Sequence, residues 1–259
     1  EKSLVDFDSM YAAGNTNTDF LKDYILRREK AGISDNADLI EKYVYGLKVS
    51  NLFNYDEVLF ILKAGPIADG IAYKLASLDR RMTDSIYKTE PQAVRIAMNN
   101  ATIANTLNSA IANKNISRAT AAANFTRNTW SSNRVEGQKS WNLKMMQYYK
   151  GVKDTTKYLQ QASSYYEQYY MRLTLDSVRK RDSLNYVNAR KKAIETSKIS
   201  TNDSITKRTF SFSYSKDRYA TELNNAAWTF YLMAANNNDY LMKAMLWSRR
   251  TIELSAKPA

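Results

Sequence analysis

Leu223–Leu254 reads LNNAAWTFYLMAANNNDYLMKAMLWSRRTIEL. The stretch predicts two helices joined at the polar break Asn236–Asp239, a short connection of the kind that sets two helices antiparallel. Trp228 falls in the first helix, and the small Ala244 lies sixteen residues on in the second. The pair thus sets a large aromatic and a small residue on the two facing helices. Trp228, Tyr231 and Trp247 are therefore expected inside the hairpin rather than on its surface.

The rest of the composition agrees with a helical protein. Among 259 residues there are only 7 glycines and 3 prolines, the residues that sheet proteins consume at their turns. Hydrophobic residues make up 44% and charged residues 25%, which is ordinary for a folded domain and excludes disorder of the whole. No run approaches the 18 or more apolar residues of a membrane span. Glu1 in place of an initiator Met is read as a processed or trimmed start, with any targeting segment removed. The chain has no Cys, which rules out disulfides, thiolate nucleophiles and cysteine-bound metals. It has no His either, and so lacks the side chain most often used as general base and metal ligand near neutral pH.

Apolar periodicity divides the first half into short helices. Leu4, Phe7, Met10 and Tyr11 mark the first, which Gly14 stops. Thr18 is expected to cap the second, and Asp35 or Asn36 to open the third. Asp56–Ala64 ends at Gly65-Pro66, Ile67–Lys88 reads as one helix, and Pro91 stands at the start of a long one. Val94, Ala97, Ala101, Ala104, Leu107 and Ile111 are its expected buried face. Arg118–Asn133, Ser140–Lys150 and the tyrosine-rich Asp154–Tyr170 follow as helices. Thr209–Ser215 (TFSFSYS) alternates apolar and polar, a period of two that predicts one short extended segment. The expected fold is all-α, an irregular α-solenoid or orthogonal helical bundle of nine or ten helices. Two regions are expected, 1–151 and 152–259, the second interrupted by a basic insertion at 172–218.

The Trp228/Ala244 hairpin resembles a tetratricopeptide (TPR) helical hairpin, which implies a binding scaffold. Three stretches extend the likeness: DFDSMYAAGNTNTDFLKDYILRREKAG near the start, DTTKYLQQASSYYEQYY at Asp154–Tyr170, and the pair Glu222–Ala234 and Ala244–Leu254. Their order resembles the helical, TPR-like region that follows a thioredoxin-like domain in secreted proteins of Bacteroidetes-type bacteria. The resemblance implies a periplasmic or extracellular bacterial setting. It carries no redox function, because the CxxC motif of a thioredoxin domain is missing with every other cysteine.

Two surfaces are candidates for function. On what would be the concave face of a TPR, Ala226, Thr229, Met233 and Asn236 are expected to touch a protein or peptide partner. The insertion holds 12 Lys/Arg against 5 Asp/Glu, more than half of the net charge of +12. Within it Arg179, Lys180 and Arg181 precede Arg190, Lys191 and Lys192 by eleven residues, about three helical turns, so both triplets share a face. That patch suits nucleic acid or an anionic surface, but a solvated charged helix explains it as well, and Tyr186 is the only interleaved aromatic. No catalytic constellation, cofactor site or metal site is expected. The leading expectation is a non-catalytic binding or scaffolding module for a protein partner, accessory to an exported thioredoxin-like protein. Nucleic-acid or anionic-surface binding through 172–218 is the alternative.

Overall fold

A computed structural model describes residues 3–130, 132–199, 215–234 and 237–255. Among them there are thirteen α-helices and no strand, so the fold is all-α. Helices α1 (Leu4–Ala12), α2 (Thr18–Lys30), α3 (Ala37–Tyr45), α4 (Tyr55–Lys63), α5 (Ile71–Ala76), α6 (Arg80–Thr89), α7 (Gln92–Ala112), α8 (Ile116–Asn128) and α9 (Arg134–Gly151) lie in one compact unit, Glu1–Asp154. A second unit, Thr155–Ala259, holds α10 (Thr155–Tyr166), α11 (Leu175–Ile199), α12 (Ser215–Met233) and α13 (Asn238–Ser255). The expected extended segment falls on residues outside those described, except for Ser215, which begins α12. No helix of the described residues is long and apolar enough to cross a membrane.

The helix count exceeds the expected nine or ten, in part because Ile67–Lys88 is not one helix. It breaks after Ala76, and Asp79 caps a new start by accepting from the amides of Arg81 and Met82. Glu41 of α3 holds the other start, accepting from the amides of Ile71 (3.0 Å) and Ala72 (3.3 Å). A carboxylate at a helix N-terminus satisfies donors that the helix itself cannot. Asn17, not Thr18, caps α2. Asn36 precedes α3 without capping it, because its side chain is taken by Arg28 Nε and the carbonyl of Ile33.

The core of the first unit is built on Leu21, Ile25, Ile40, Val58, Ile61 and Ile86. Glu57 is buried within reach of it, accepting from the Tyr43 hydroxyl and from Lys22 Nζ at 2.7 Å. The long helix α7 buries only part of the face expected: Leu107 is buried and Val94, Ala101 and Ile111 are half-buried, but Ala97 and Ala104 are exposed, while Met98, Thr102, Asn105 and Thr106 are buried. The polar residues are inside because they satisfy loop backbone. Asn105 Nδ2 donates to the carbonyls of Gly65 (2.7 Å) and Ser34 (3.2 Å), and Thr106 Oγ1 accepts from the amide of Ala68 (2.8 Å). Beyond this point α7, α8 and α9 pack through Ala110, Ala119, Ala122 and Ala123, whose small side chains let the helices approach closely.

A cavity of about 370 Å³ opens against α7, lined by Val94, Met98, Ala101, Lys63 and Glu29. Burial raises the Glu29 carboxyl above its ordinary pKa, an effect partly offset by Lys63, and Glu29 Oε1 has no hydrogen-bond partner. A carboxyl with a raised folded-state pKa stabilises least at high pH, since the unfolded chain ionises it more readily. Stability is therefore lost as pH climbs from the ordinary carboxylate range through the raised value. Glu29→Gln is expected to melt higher than the wild type at about pH 7, and no higher at about pH 3, where both side chains are neutral. Thermal unfolding of the two proteins at both pH values checks this.

Candidate functional site

The hairpin is made as expected, with α12 and α13 packed along their length. Leu223, Ala226, Ala227 and Phe230 form a buried face of α12, at i, i+3, i+4 and i+7, and Ala234 is buried just past its end. Ala244, Trp247 and Leu254 are the buried residues of α13. Phe230 and Trp247 meet at 4.4 Å between ring centroids, and Trp247 also lies 5.2 Å from Tyr166 of α10. Trp247 Nε1 donates to Glu167 Oε1 at 3.1 Å, in the single π-type turn Glu167–Met171 that follows α10. The tyrosines after Asp154 serve this same packing: Tyr165 and Tyr170 are buried, and Tyr170 meets Tyr219 edge to face.

Trp228 and Tyr231 are not part of that core. They are 61% and 59% exposed, against 0% for Trp247, and their rings stack on each other at 5.4 Å. The expectation that all three aromatics lie inside is corrected for these two. Trp228 stands two residues from Phe230, which takes the inward position, so the helical turn carries the indole out.

The two rings form one wall of a groove of about 440 Å³ along the hairpin. Ala227 and Ala244, both buried, line it between the helices, and Leu241 and Met245 line it from α13. Asn224 and Ser248 supply its polar groups. Leu232 and Met242, about one helical turn from Trp228 and Met245, are exposed as well. Trp228 and Ala244 thus share a groove, but with the aromatic at an open edge instead of sealed against its small neighbour.

The residues expected to touch a partner are placed differently. Ala226 is buried and faces the core, which removes it as a contact residue. Thr229 is half-buried, with its hydroxyl donating to the carbonyl of Asn225 at 2.8 Å, and Met233 is half-buried. Asn236 lies outside the described residues. The exposed groove belongs to the neighbouring positions 224, 228 and 231, one helical face around from those expected. A reading of α12 as amphipathic on both sides would have found them: four-residue and three-residue steps from Asn224 to Trp228 to Tyr231 mark a second stripe.

No protein-family profile, curated protein or solved structure matches this chain.

The basic residues are on α11. Arg179, Lys180, Arg181, Arg190 and Lys191 are exposed, and the side chain of Lys192 lies outside those described. The helix is anchored near its start, where Val178 and Asp182 are buried and Arg181 Nη1 donates to the Tyr219 hydroxyl. Among the described residues no group of three or more Asp and Glu side chains gathers to hold a metal ion.

Proposed function

We propose that this protein is a non-catalytic helical scaffold that binds a protein partner through the groove between α12 and α13. The observation that carries the reading is the outward face of the hairpin, where Trp228, Tyr231, Leu232, Met242 and Met245 are all exposed. Large exposed apolar patches are rare on a protein that works alone, and they mark sites of association. Exposed aromatic rings offer large contact area at little entropy cost, and methionines adapt to the shape of what they meet. Two antiparallel helices with a small-residue floor suit an amphipathic helix laid along them. The sequence's resemblance to the TPR-like region of secreted thioredoxin-domain proteins agrees with this reading, and with it we propose a setting outside the cytoplasm of a bacterium.

A photo-crosslinking amino acid at Tyr231 of the intact protein, followed by mass spectrometry, tests this. Crosslinks are expected to one partner chain, through an apolar helical face. Alanine at both Trp228 and Tyr231 is expected to weaken binding of that partner by about tenfold or more, while leaving helicity unchanged. Crosslinks to a second copy of this chain would make the groove a dimer interface instead. Unaltered affinity in the double variant would remove the groove from function.

A further inference from the structure

The C-terminal unit has a second cleft, of about 730 Å³, that is distinct from the apolar groove and shares only Arg179 with the first basic triplet. Arg172 follows the π-type turn, Arg179 comes from α11, and Arg249 and Arg250 come from α13; all four line the cleft. Among the described residues, Asp176 and Glu253 are its only acidic lining. Glu253 is already engaged, with Arg250 Nη1 at 2.5 Å and Arg249 Nε at 3.9 Å. Arg250 is further fixed by donating to the carbonyl of Leu173, and its Nε is buried without an acceptor. Arg172 and Arg179 are exposed, and their side chains make no ion pair or hydrogen bond with any described residue.

Three elements thus line one cleft with four arginines against two carboxylates, one of which is already paired. Holding like charges together has an electrostatic cost, which an anionic ligand would relieve. The planar fork of arginine matches a carboxylate with two parallel hydrogen bonds. Thr174 apart, the remaining walls are apolar, with Leu173 and Leu246 among them, and among the described residues no aromatic ring lines the cleft on which a nucleic-acid base could stack. The geometry points to an acidic peptide segment as the ligand, its carboxylates on Arg172, Arg179 and Arg249 and its apolar side chains on the leucine wall. This rests on the binding reading given above and adds the chemistry of the partner: a helix for the groove, flanked by a Glu/Asp-rich stretch for the cleft. Helix α13 serves both, with Met245 on the groove and Leu246 on the cleft.

Fluorescence anisotropy on the full chain tests it, with a fluorescein-labelled peptide alternating glutamate with leucine as probe. Saturable binding is expected, weakened about tenfold or more by the pair Arg172→Glu and Arg179→Glu. The pair Arg190→Glu and Lys191→Glu, which changes the net charge equally, is expected to stay within about twofold of wild type. Lysine at positions 172 and 179 should restore only part of the affinity, because a point charge lacks the fork. Equal losses in both glutamate pairs, or binding that does not saturate, would overturn the proposal in favour of an unspecialised basic surface. Tighter binding of duplex DNA or phosphatidylserine vesicles, lost with Arg172 and Arg179, would overturn it in favour of a phosphate ligand. Alanine at Trp228 and Tyr231 should leave probe binding intact, so failure of the groove and failure of the cleft are read separately.

Discussion

Replacing Trp247 with alanine is expected to cost about 3–5 kcal/mol, the range for removing a large aromatic from a packed core. The indole is wholly buried and touches Phe230 and Tyr166, so its loss opens a cavity that three helices line. It also strips a hydrogen bond from Glu167, which keeps only Lys243 Nζ at 3.4 Å. Trp247→Phe restores part of the volume but not the N–H, and should fall between the two. Trp228→Ala, on the same hairpin, should cost little, since a side chain mostly in water loses little by truncation. Because the chain has two compact units, hydrogen exchange is a better readout than a single melting curve. Amides of α12 and α13 should lose protection in Trp247→Ala while those of α3 and α4 do not. A larger loss in Trp228→Ala would reverse the assignment of core and surface aromatics.

The contrast between these two tryptophans shows how far the sequence could be read. Helix as the dominant structure was legible, because glycine and proline are scarce and apolar residues recur with a period near 3.6. The hairpin was legible too, although Asn238 and Asp239 of the expected connection already belong to α13. Which face of α12 turns inward was not, because both faces are apolar: Ala226, Ala227 and Phe230 on one, Trp228, Tyr231 and Leu232 on the other. Residue size favours Trp228 as a core residue, yet two alanines and a phenylalanine form the inner face, and they allow α13 to come close. On α7 the periodicity misled for a different reason. Asn105 and Thr106 are inside since loop backbone 65–68 needs partners there, a tertiary demand that no local pattern announces. The cleft of arginines was hidden in the same way. Arg172 and Arg179 are far in sequence from Arg249 and Arg250, so the basic triplets drew the eye to one helix while the fold assembled a site from three segments.

The loop beneath α7 gives the second large effect: Gly65→Ala is expected to destabilise the protein by about 2–5 kcal/mol. Two separate terms contribute. Gly65 has φ +70°, a left-handed conformation that costs a residue with a Cβ about 1–2 kcal/mol. A Cβ there would also lie 2.7 Å from Ala101 Cβ, 2.8 Å from Asn105 Nδ2 and 3.1 Å from the Ala101 backbone carbon. The last of these belongs to α7 itself, so the clash is relieved only by moving the helix or the loop, at an overpacking cost of about 1–3 kcal/mol. Any such movement stretches the bond from Asn105 Nδ2 to the Gly65 carbonyl, which has no other donor to replace it in that buried position. Gly32 separates the terms. Its φ is +78°, but a Cβ added there meets nothing within 4 Å, so Gly32→Ala carries the conformational term alone. Chemical denaturation should therefore rank Gly32→Ala at about 1 kcal/mol and Gly65→Ala well above it. Equal costs would mean that the close approach of α7 does not constrain Gly65, and that Asn105 is buried for some reason other than holding this loop.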